Sequence, residues 1–500
     1  MTGCNCNLIS KIYQGRPSGG HFYTANIRNM VLHGPTHTID TIFALSSGAG
    51  RAGVAVIRLS GPQALPVLCA LLGRKTPPKP RVAVYAPIAD PQSGERLDDA
   101  IALYFVGPAS FTGEDVVELH VHGGRAVIEG VLECLGRQPG LRLAEPGEYS
   151  RRAFQNGKMD LTEAEGIADL IDAETAAQRR QAVRQMAGEL GQLYEDWRLR
   201  LMRALAHIEA DIDFPDEDLP EGIVAVLRGD LDRIGGEIAS HLADNRRGER
   251  LREGFQIVIL GAPNAGKSSL LNRLARRDAA IVSDIAGTTR DAIEIHLDLG
   301  GFPVTMVDTA GLRETGDAIE TEGVRRATQR AENADLRLVV IDRGDWPNID
   351  AEAARLLDRN TVILINKADQ DADVIIAAPS QDQPAGHVWS GVDAAGAALE
   401  LPVLAISAMT GAGMESLLQL LESRVKEGLD FAGPVPLTRM RHRRALEQAL
   451  SHLQRGLGTD IAELAAEDIR LAVREIGKIT GRVDVEDLLD IIFGDFCIGK

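Results

Sequence analysis

The residues best equipped for chemistry form one run, Gly261-Ala262-Pro263-Asn264-Ala265-Gly266-Lys267-Ser268-Ser269, which carries glycines, a lysine and a hydroxyl at the spacing of a phosphate-binding loop. Its glycines let backbone N–H groups converge on phosphate oxygens, Lys267 counters β/γ charge, and Ser268 offers Mg2+ a hydroxyl ligand. The loop works only between a strand and a helix. The apolar run Gln256 to Leu260 predicts that strand, and Ser269 to Ala275 predicts the helix.

Further segments follow in an order that resembles the translation-factor-related class of G proteins. Ser283-Asp284-Ile285-Ala286-Gly287-Thr288-Thr289-Arg290-Asp291 supplies a switch I hydroxyl, Thr289, for Mg2+. Asp308-Thr309-Ala310-Gly311 ends a predicted strand, which puts a carboxylate near the metal's water shell and a glycine N–H near a γ-phosphate. Asn366-Lys367-Ala368-Asp369 ends another, and Asp369 can accept hydrogen bonds from guanine N1–H and its exocyclic amine. Adenine cannot donate that pair, so an ATP complex would leave the carboxylate unsatisfied. Ser407-Ala408-Met409 completes the base pocket, and the set predicts GTP as the nucleotide. Leu312 stands where many such proteins carry a water-orienting Gln, which leaves Arg313, Glu314, Glu320 and Glu322 as polar candidates for catalysis.

These motifs need a large scaffold. A chain of 500 residues exceeds what one core organises, and 44% hydrophobic with 25% charged residues is an ordinary globular balance, so several domains are expected and wholesale disorder is excluded. A net charge of −18 argues against a surface that grips nucleic acid along its whole length. The five cysteines include no CxxC pair, and neither a signal peptide nor a membrane-length apolar stretch is present, so the reading is a cytoplasmic protein without a membrane partner.

Residues 1–38 read as a flexible tail. Short β-type runs from Thr41 to Val121 and a helix over Arg125 to Gly136 predict an α+β domain spanning 39–155. Helical periodicity then fills 156–253 and returns over 427–500. Between these runs, strands at Val304 to Val307, Leu336 to Ile341, Thr361 to Ile365 and Val403 to Ile406 alternate with helices, predicting a mostly parallel α/β G domain over 254–426. The expected fold is therefore multidomain α/β plus α, with the G domain inserted into a helical domain. Gln370 to Leu399 reads as a surface loop.

The whole arrangement resembles the MnmE, or TrmE, family of tRNA modification GTPases over about residues 39–500. Beyond the nucleotide motifs, the likeness rests on Phe111-Thr112-Gly113-Glu114-Asp115, His122-Gly123-Gly124, Pro146-Gly147-Glu148, Asp213-Phe214-Pro215-Asp216 and Phe496-Cys497-Ile498-Gly499-Lys500. The resemblance implies homodimeric pairing of G domains with GTP and K+, with K+ held by Asn264, Ser283, Ile285 and Thr288 and water oriented by Glu320. Arg290 and Arg313 fall in the switches, where closure would use them. It also implies a 5-formyl- or 5,10-methylene-tetrahydrofolate at Arg58, Glu118, Lys158 and Lys500, an MnmG-like partner carrying FAD, and tRNA as substrate. A carboxylate suits the amino-pyrimidine edge of a pterin, and Arg and Lys suit the carboxylate tail.

Cys497 reads either as a nucleophile near the modification site or as a small apolar residue. His120 and His122 share a strand face but lack further ligand spacing. The cluster Arg439-Met440-Arg441-His442-Arg443-Arg444 reads as a basic patch for tRNA phosphates or as a solvated helix start. The alternative functions are a ribosome-assembly GTPase of the Era-like type and a non-enzymatic scaffold whose shape the nucleotide fixes.

Overall fold

The computed structural model describes residues 40–48, 50–213, 223–276, 280–281, 294–308, 330–369, 387–392, 396–430, 435–483, 486–494 and 496–499. Its first sheet is built from β1 (Thr41–Leu45), β2 (Ala52–Ser60), β3 (Val84–Ala89), β4 (Arg96–Phe105), β5 (Val116–Gly123) and β6 (Leu141–Leu143), in the order β3-β4-β5-β2-β1-β6. Alternation decides which face is buried. Ile57, Leu59, Val117, Leu119 and Ala102 point toward the helices α1 (Ala64–Leu71) and α2 (Arg125–Gly136), packing with Leu68, Val131 and Leu135. The helix predicted over Arg125 to Gly136 is α2, whereas α1 went unread because ALPVLCAL is apolar all round and carries no 3.6-residue period.

Past α3 (Glu148–Gln155), the helices α4 (Leu161–Ile171) and α5 (Ala176–Met186) each begin with a capping box, Asp160 with Glu163 and Thr175 with Gln178. Two long helices follow, α6 (Glu189–Asp213) and α7 (Ile223–Leu242), then the short α8 (Arg247–Glu253). Tyr194, Trp197, Leu201, Ile234 and Ile238 share one core with Leu446, Leu453, Ile469 and Ile476 of two helices from the far end of the chain. The helical segments on either side of the second sheet are thus one packing unit. Their backbones touch where the chain leaves and returns: a Cβ on Gly248 would lie 2.1 Å from the carbonyl oxygen of Leu437.

The second sheet comprises β7 (Phe255–Leu260), β8 (Ala280–Ile281), β9 (Glu294–Leu299), β10 (Phe302–Asp308), β11 (Leu336–Asp342), β12 (Thr361–Asn366), β13 (His387–Val392) and β14 (Ala398–Ala405), in the order β13-β14-β12-β11-β7-β10-β9-β8. Its central pairs are parallel and its margins antiparallel. The helices α9 (Lys267–Ala275), α10 (Ala351–Ala354) and α11 (Met414–Leu429) accompany it, and the C-terminal helices are α12 (Met440–Leu457), α13 (Ala462–Thr480) and α14 (Glu486–Gly494). Strand β13 corrects the reading of Gln370 to Leu399 as loop throughout. It is an edge strand whose Val388 and Val392 stay exposed and whose Gly391 interrupts the run, so it lacks the signature of a buried strand.

The two sheets and the helices form a multidomain α/β plus α fold. Contacts between the helical layer and the second sheet are specific: α8 runs into β7, Arg250 pairs with buried Asp335 at 2.7 Å, and Ala177 N–H donates to Gly301 O at the β9–β10 turn. No helix among the described residues is long and apolar enough to cross a membrane.

Candidate functional site

Strand β7 lies at the centre of its sheet and delivers the chain to the loop 261–266 at its C-terminal edge, where open α/β sheets bind ligands. Gly261 (φ +138°) and Gly266 (φ +97°) are required on steric grounds: a Cβ would meet Val340 O at 2.1 Å in the first case and Asn366 Nδ2 at 2.0 Å in the second. Asn264, also left-handed at φ 65°, is exposed at the loop's outer bend. Lys267 heads α9, and its ammonium donates to the Gly261 and Ala262 carbonyls at 2.9 Å each, so its charge already lies against the loop. Ser268 Oγ donates to Asp308 Oδ2 at 2.7 Å, joining the hydroxyl of one motif to the carboxylate of another. Two hard oxygens at this separation fit Mg2+ or its water shell.

Asn366 acts as a staple. Its Nδ2 donates to Ala265 O at 2.8 Å and its Oδ1 accepts from Ala408 N–H at 3.0 Å, tying the phosphate loop to the base-pocket segment. Lys367, left-handed at φ 62°, is paired with Asp342 at 2.5 Å, and that hydrogen bond holds the Asp342 carboxyl below the usual carboxylate range. Ala368 N–H donates to Ile406 O, and Asp369 is exposed. Ser407 and Ala408 are buried, whereas Met409 is 81% exposed. Arg273, which the sequence reading did not single out, donates to Ala408 O at 2.5 Å and also to Met409 O, clamping this segment onto α9. A cavity of about 210 Å³ opens beside the loop, lined by Gly261, Ala262, Asp342, Asp345, Asn348 and Asp350. Ser283 to Asp291, Thr309 to Gly311, Arg313 and Glu320 lie outside the described residues.

A second polar cluster occupies the face of the first sheet opposite α1 and α2. Antiparallel pairing sets Arg58 of β2 directly across from Glu118 of β5, and the guanidinium donates twice to Oε1, at 3.1 and 2.9 Å. The rings of Phe111 and Tyr149 flank Arg58 at 5.6 and 5.7 Å, and the Tyr149 hydroxyl donates to Arg58 O. The segment 111–115 is fixed by Thr112, which bonds Ser60, and by Glu114, which bonds Ser60 and Arg152. His120 Nε2, 3.6 Å from Glu118 Oε2, is buried and has no hydrogen-bond partner. An orphaned ring nitrogen beside a carboxylate is the kind of polar lining a heteroaromatic ligand satisfies. His122 is instead exposed and bonds Asp98, and no metal-holding group of side chains exists among the described residues. Lys158 Nζ donates to Pro108 O at 2.9 Å on the rim.

The C-terminal segment returns to this domain. Ile498 bridges to Pro146, Gly499 (φ +98°) packs where a Cβ would lie 2.2 Å from Leu45 O, and Leu45 neighbours the Ala44 that pairs with Arg58. Two sequence-distant motifs therefore meet. Glu148 of the first bonds Arg142 and Arg152; burial pushes its carboxyl up, but these partners outweigh burial and hold it at about 2. Cys497 is exposed with a free thiol, not a buried apolar residue, and Lys500 lies outside the described residues.

The run Arg439 to Arg444 requires correction as a basic patch or solvated helix start. Arg439 pairs with Asp169, Arg441 and the fully buried His442 with Glu165, and Arg443 with Asp244 and Glu249. These charges are consumed in a junction between α4, α8 and α12, and among the arginines of the run only Arg444 is exposed. Their partners lie far away in sequence, so local charge counting could not find them.

Family models for the MnmE helical domain and for the GTP-binding protein TrmE N-terminus match residues 161–497 and 41–158. A tRNA modification GTPase MnmE of Parvibaculum lavamentivorans is 55% identical over 467 residues, covering 92% of this chain and 100% of the relative. The like-named protein of Rhodospirillum rubrum is 52% identical over 475 residues, covering 93% and 100%. A mitochondrial 5-taurinomethyluridine tRNA synthase subunit of Danio rerio is 48% identical over 469 residues, covering 92% and 93%. Agreement of this extent, on a scaffold that sets a phosphate loop at the edge of a parallel sheet, shows that the chain belongs to the MnmE family of tRNA modification GTPases.

Proposed function

We propose that this chain hydrolyses GTP to gate the addition of an aminomethyl or carboxymethylaminomethyl group to C5 of the wobble uridine, position 34, of tRNA, working in the cytoplasm as a homodimer with an MnmG-like FAD protein. The observation that carries the reading is the coexistence in one chain of two sites: the nucleotide loop with its Ser268–Asp308 pair, and the Arg58–Glu118 face of the sheet whose β1 end receives the C-terminal motif.

At the first site, backbone N–H groups from Asn264 to Ser269 cradle phosphate and Lys267 neutralises developing charge, while Ser268, Thr289 and Asp308 would hold Mg2+, which would supply further positive charge to the phosphates. Asp369, with Asn366 and Ser407 to Met409, selects guanine. Asn264, Ser283, Ile285 and Thr288 would hold K+, whose charge supplies what an arginine finger supplies elsewhere; Glu320 orients the attacking water, and Arg290 and Arg313 stabilise the closed switches. At the second site Glu118 and Arg58, with Lys158 and Lys500, would hold a 5-formyl- or 5,10-methylene-tetrahydrofolate, which supplies the one-carbon unit. Cys497 is the exposed thiol nearest in sequence to that terminus.

Mass spectrometry of tRNA from cells lacking the chain tests the reading: loss of the C5 side chain from uridine 34 is expected, and an unchanged nucleoside would overturn it. GTP turnover compared in K+ and Na+ tests the cation assignment, with equal rates refuting it.

A further inference from the structure

The rim of the Arg58–Glu118 site carries a second, unassigned concentration of charge. Between Ser60 and Asp90 the chain has no acidic residue, yet it holds Arg74, Lys75, Lys79 and Arg81, all exposed, in a protein whose net charge is −18. The C-terminal end of this strip, Arg81, is held by the loop that also holds Lys158. Arg81 donates to Ala109 O and Lys158 donates to Pro108 O at 2.9 Å, so adjacent carbonyls fix both cations. The Arg81 guanidinium lies 5.4 Å from the centre of the Phe105 ring. Phe105 is two residues along β4 from Leu103, the residue opposite Glu118, which puts the residue under Arg81 about 7 Å along the strand from the carboxylate's row. The acidic residues of the loop do not cancel this field. Glu114 is engaged with Arg152 and Ser60, and Asp115 Oδ1 accepts from Gly107 N–H.

Arg81 on the loop that also holds Lys158, with Lys79, Lys75 and Arg74 preceding it in the chain and all exposed, matches one extension of a folate, the chain of γ-linked glutamates, each of which adds a carboxylate. We propose that Arg74, Lys75, Lys79 and Arg81 form a subsite for this oligoglutamate tail, so that the protein discriminates polyglutamylated from monoglutamylated folate. The inference rests on the folate reading above. Contiguity with Lys158 favours the tail over an RNA phosphate backbone as the occupant.

Calorimetric titration of the full-length protein with 5-formyltetrahydrofolate carrying one or three glutamates is the test. The triglutamate is expected to bind about tenfold more tightly, the sum of several exposed ion pairs. That advantage should shrink in about 0.5 M salt. It should also vanish in the triple variant Lys75→Ala, Lys79→Ala, Arg81→Ala, with monoglutamate affinity unchanged. Equal affinity of the two ligands for the parent protein overturns the subsite and leaves the folate reading standing, whereas no binding of either defeats the folate reading itself. A triple variant that keeps the tail advantage but loses tRNA retention on filters assigns the strip to RNA and overturns the proposal.

Discussion

Gly266 occupies a position no other residue can share, because a left-handed backbone and the Asn366 amide exclude even a methyl group. Gly266→Ala should therefore push Asn366 off Ala265 and weaken GTP binding by at least about tenfold, from strain plus a lost hydrogen bond. Fluorescent-nucleotide titration measures this, and circular dichroism checks that the fold survives. For Asp369→Asn, the amide loses one acceptor for guanine but gains a donor for the 2-oxo group of xanthine. GTP affinity should fall about a hundredfold and XTP affinity should rise, as competition binding would reveal. Gly266 was legible in the sequence because its role is local to one loop. Arg273, the orphaned His120 nitrogen and the rings flanking Arg58 were not, since each depends on sheet register or on loops that meet only after folding.

At the scale of elements, α7 presents His241 to the rings of Tyr194 and Trp197, at 5.9 and 5.6 Å. Burial depresses this imidazole from 6.5 to about 4. The unfolded chain then binds the proton first as pH falls, so the contribution of His241 to stability is intact above 6.5 and declines toward pH 4. Over that window the loss reaches about 3 kcal/mol at most. Asp169, whose carboxyl burial pushes up against the pull of the neighbouring Arg252 and Arg439, has the opposite slope, because the folded state holds its proton first. The informative measurement is therefore a comparison: His241→Gln should have a flatter melting temperature between pH 6.5 and 4.5 than its parent, and parallel curves would refute the assignment. Elements with a clear period were readable, as α2 was, and so were the central strands of the second sheet. The apolar α1 and the edge strand β13 were not, because neither alternates nor repeats at the helical period.

At the scale of the whole molecule, the helical core is assembled from segments on both sides of the second sheet, and Gly248 touches Leu437 where they rejoin. Replacing residues 255–430 by a short Gly/Ser linker should leave a helical protein with a cooperative thermal transition, because the two backbones already meet. A broad, non-cooperative melt would show that the core needs its insert. Gly248→Val, by contrast, should destabilise the intact protein by about 2 kcal/mol or more, since its side chain would occupy the Leu437 carbonyl; a denaturant titration measures it. The same meeting point has a consequence for biosynthesis. Roughly 200 residues separate the end of α7 from the start of α12, which at ribosomal speed is about 10 to 40 s of translation. Throughout that interval Tyr194, Trp197 and Leu201 lack half of their eventual covering. The newborn polypeptide thus carries a sticky, half-built frame while its centre is still being made, and a holdase that shields apolar helices is the helper such a schedule calls for.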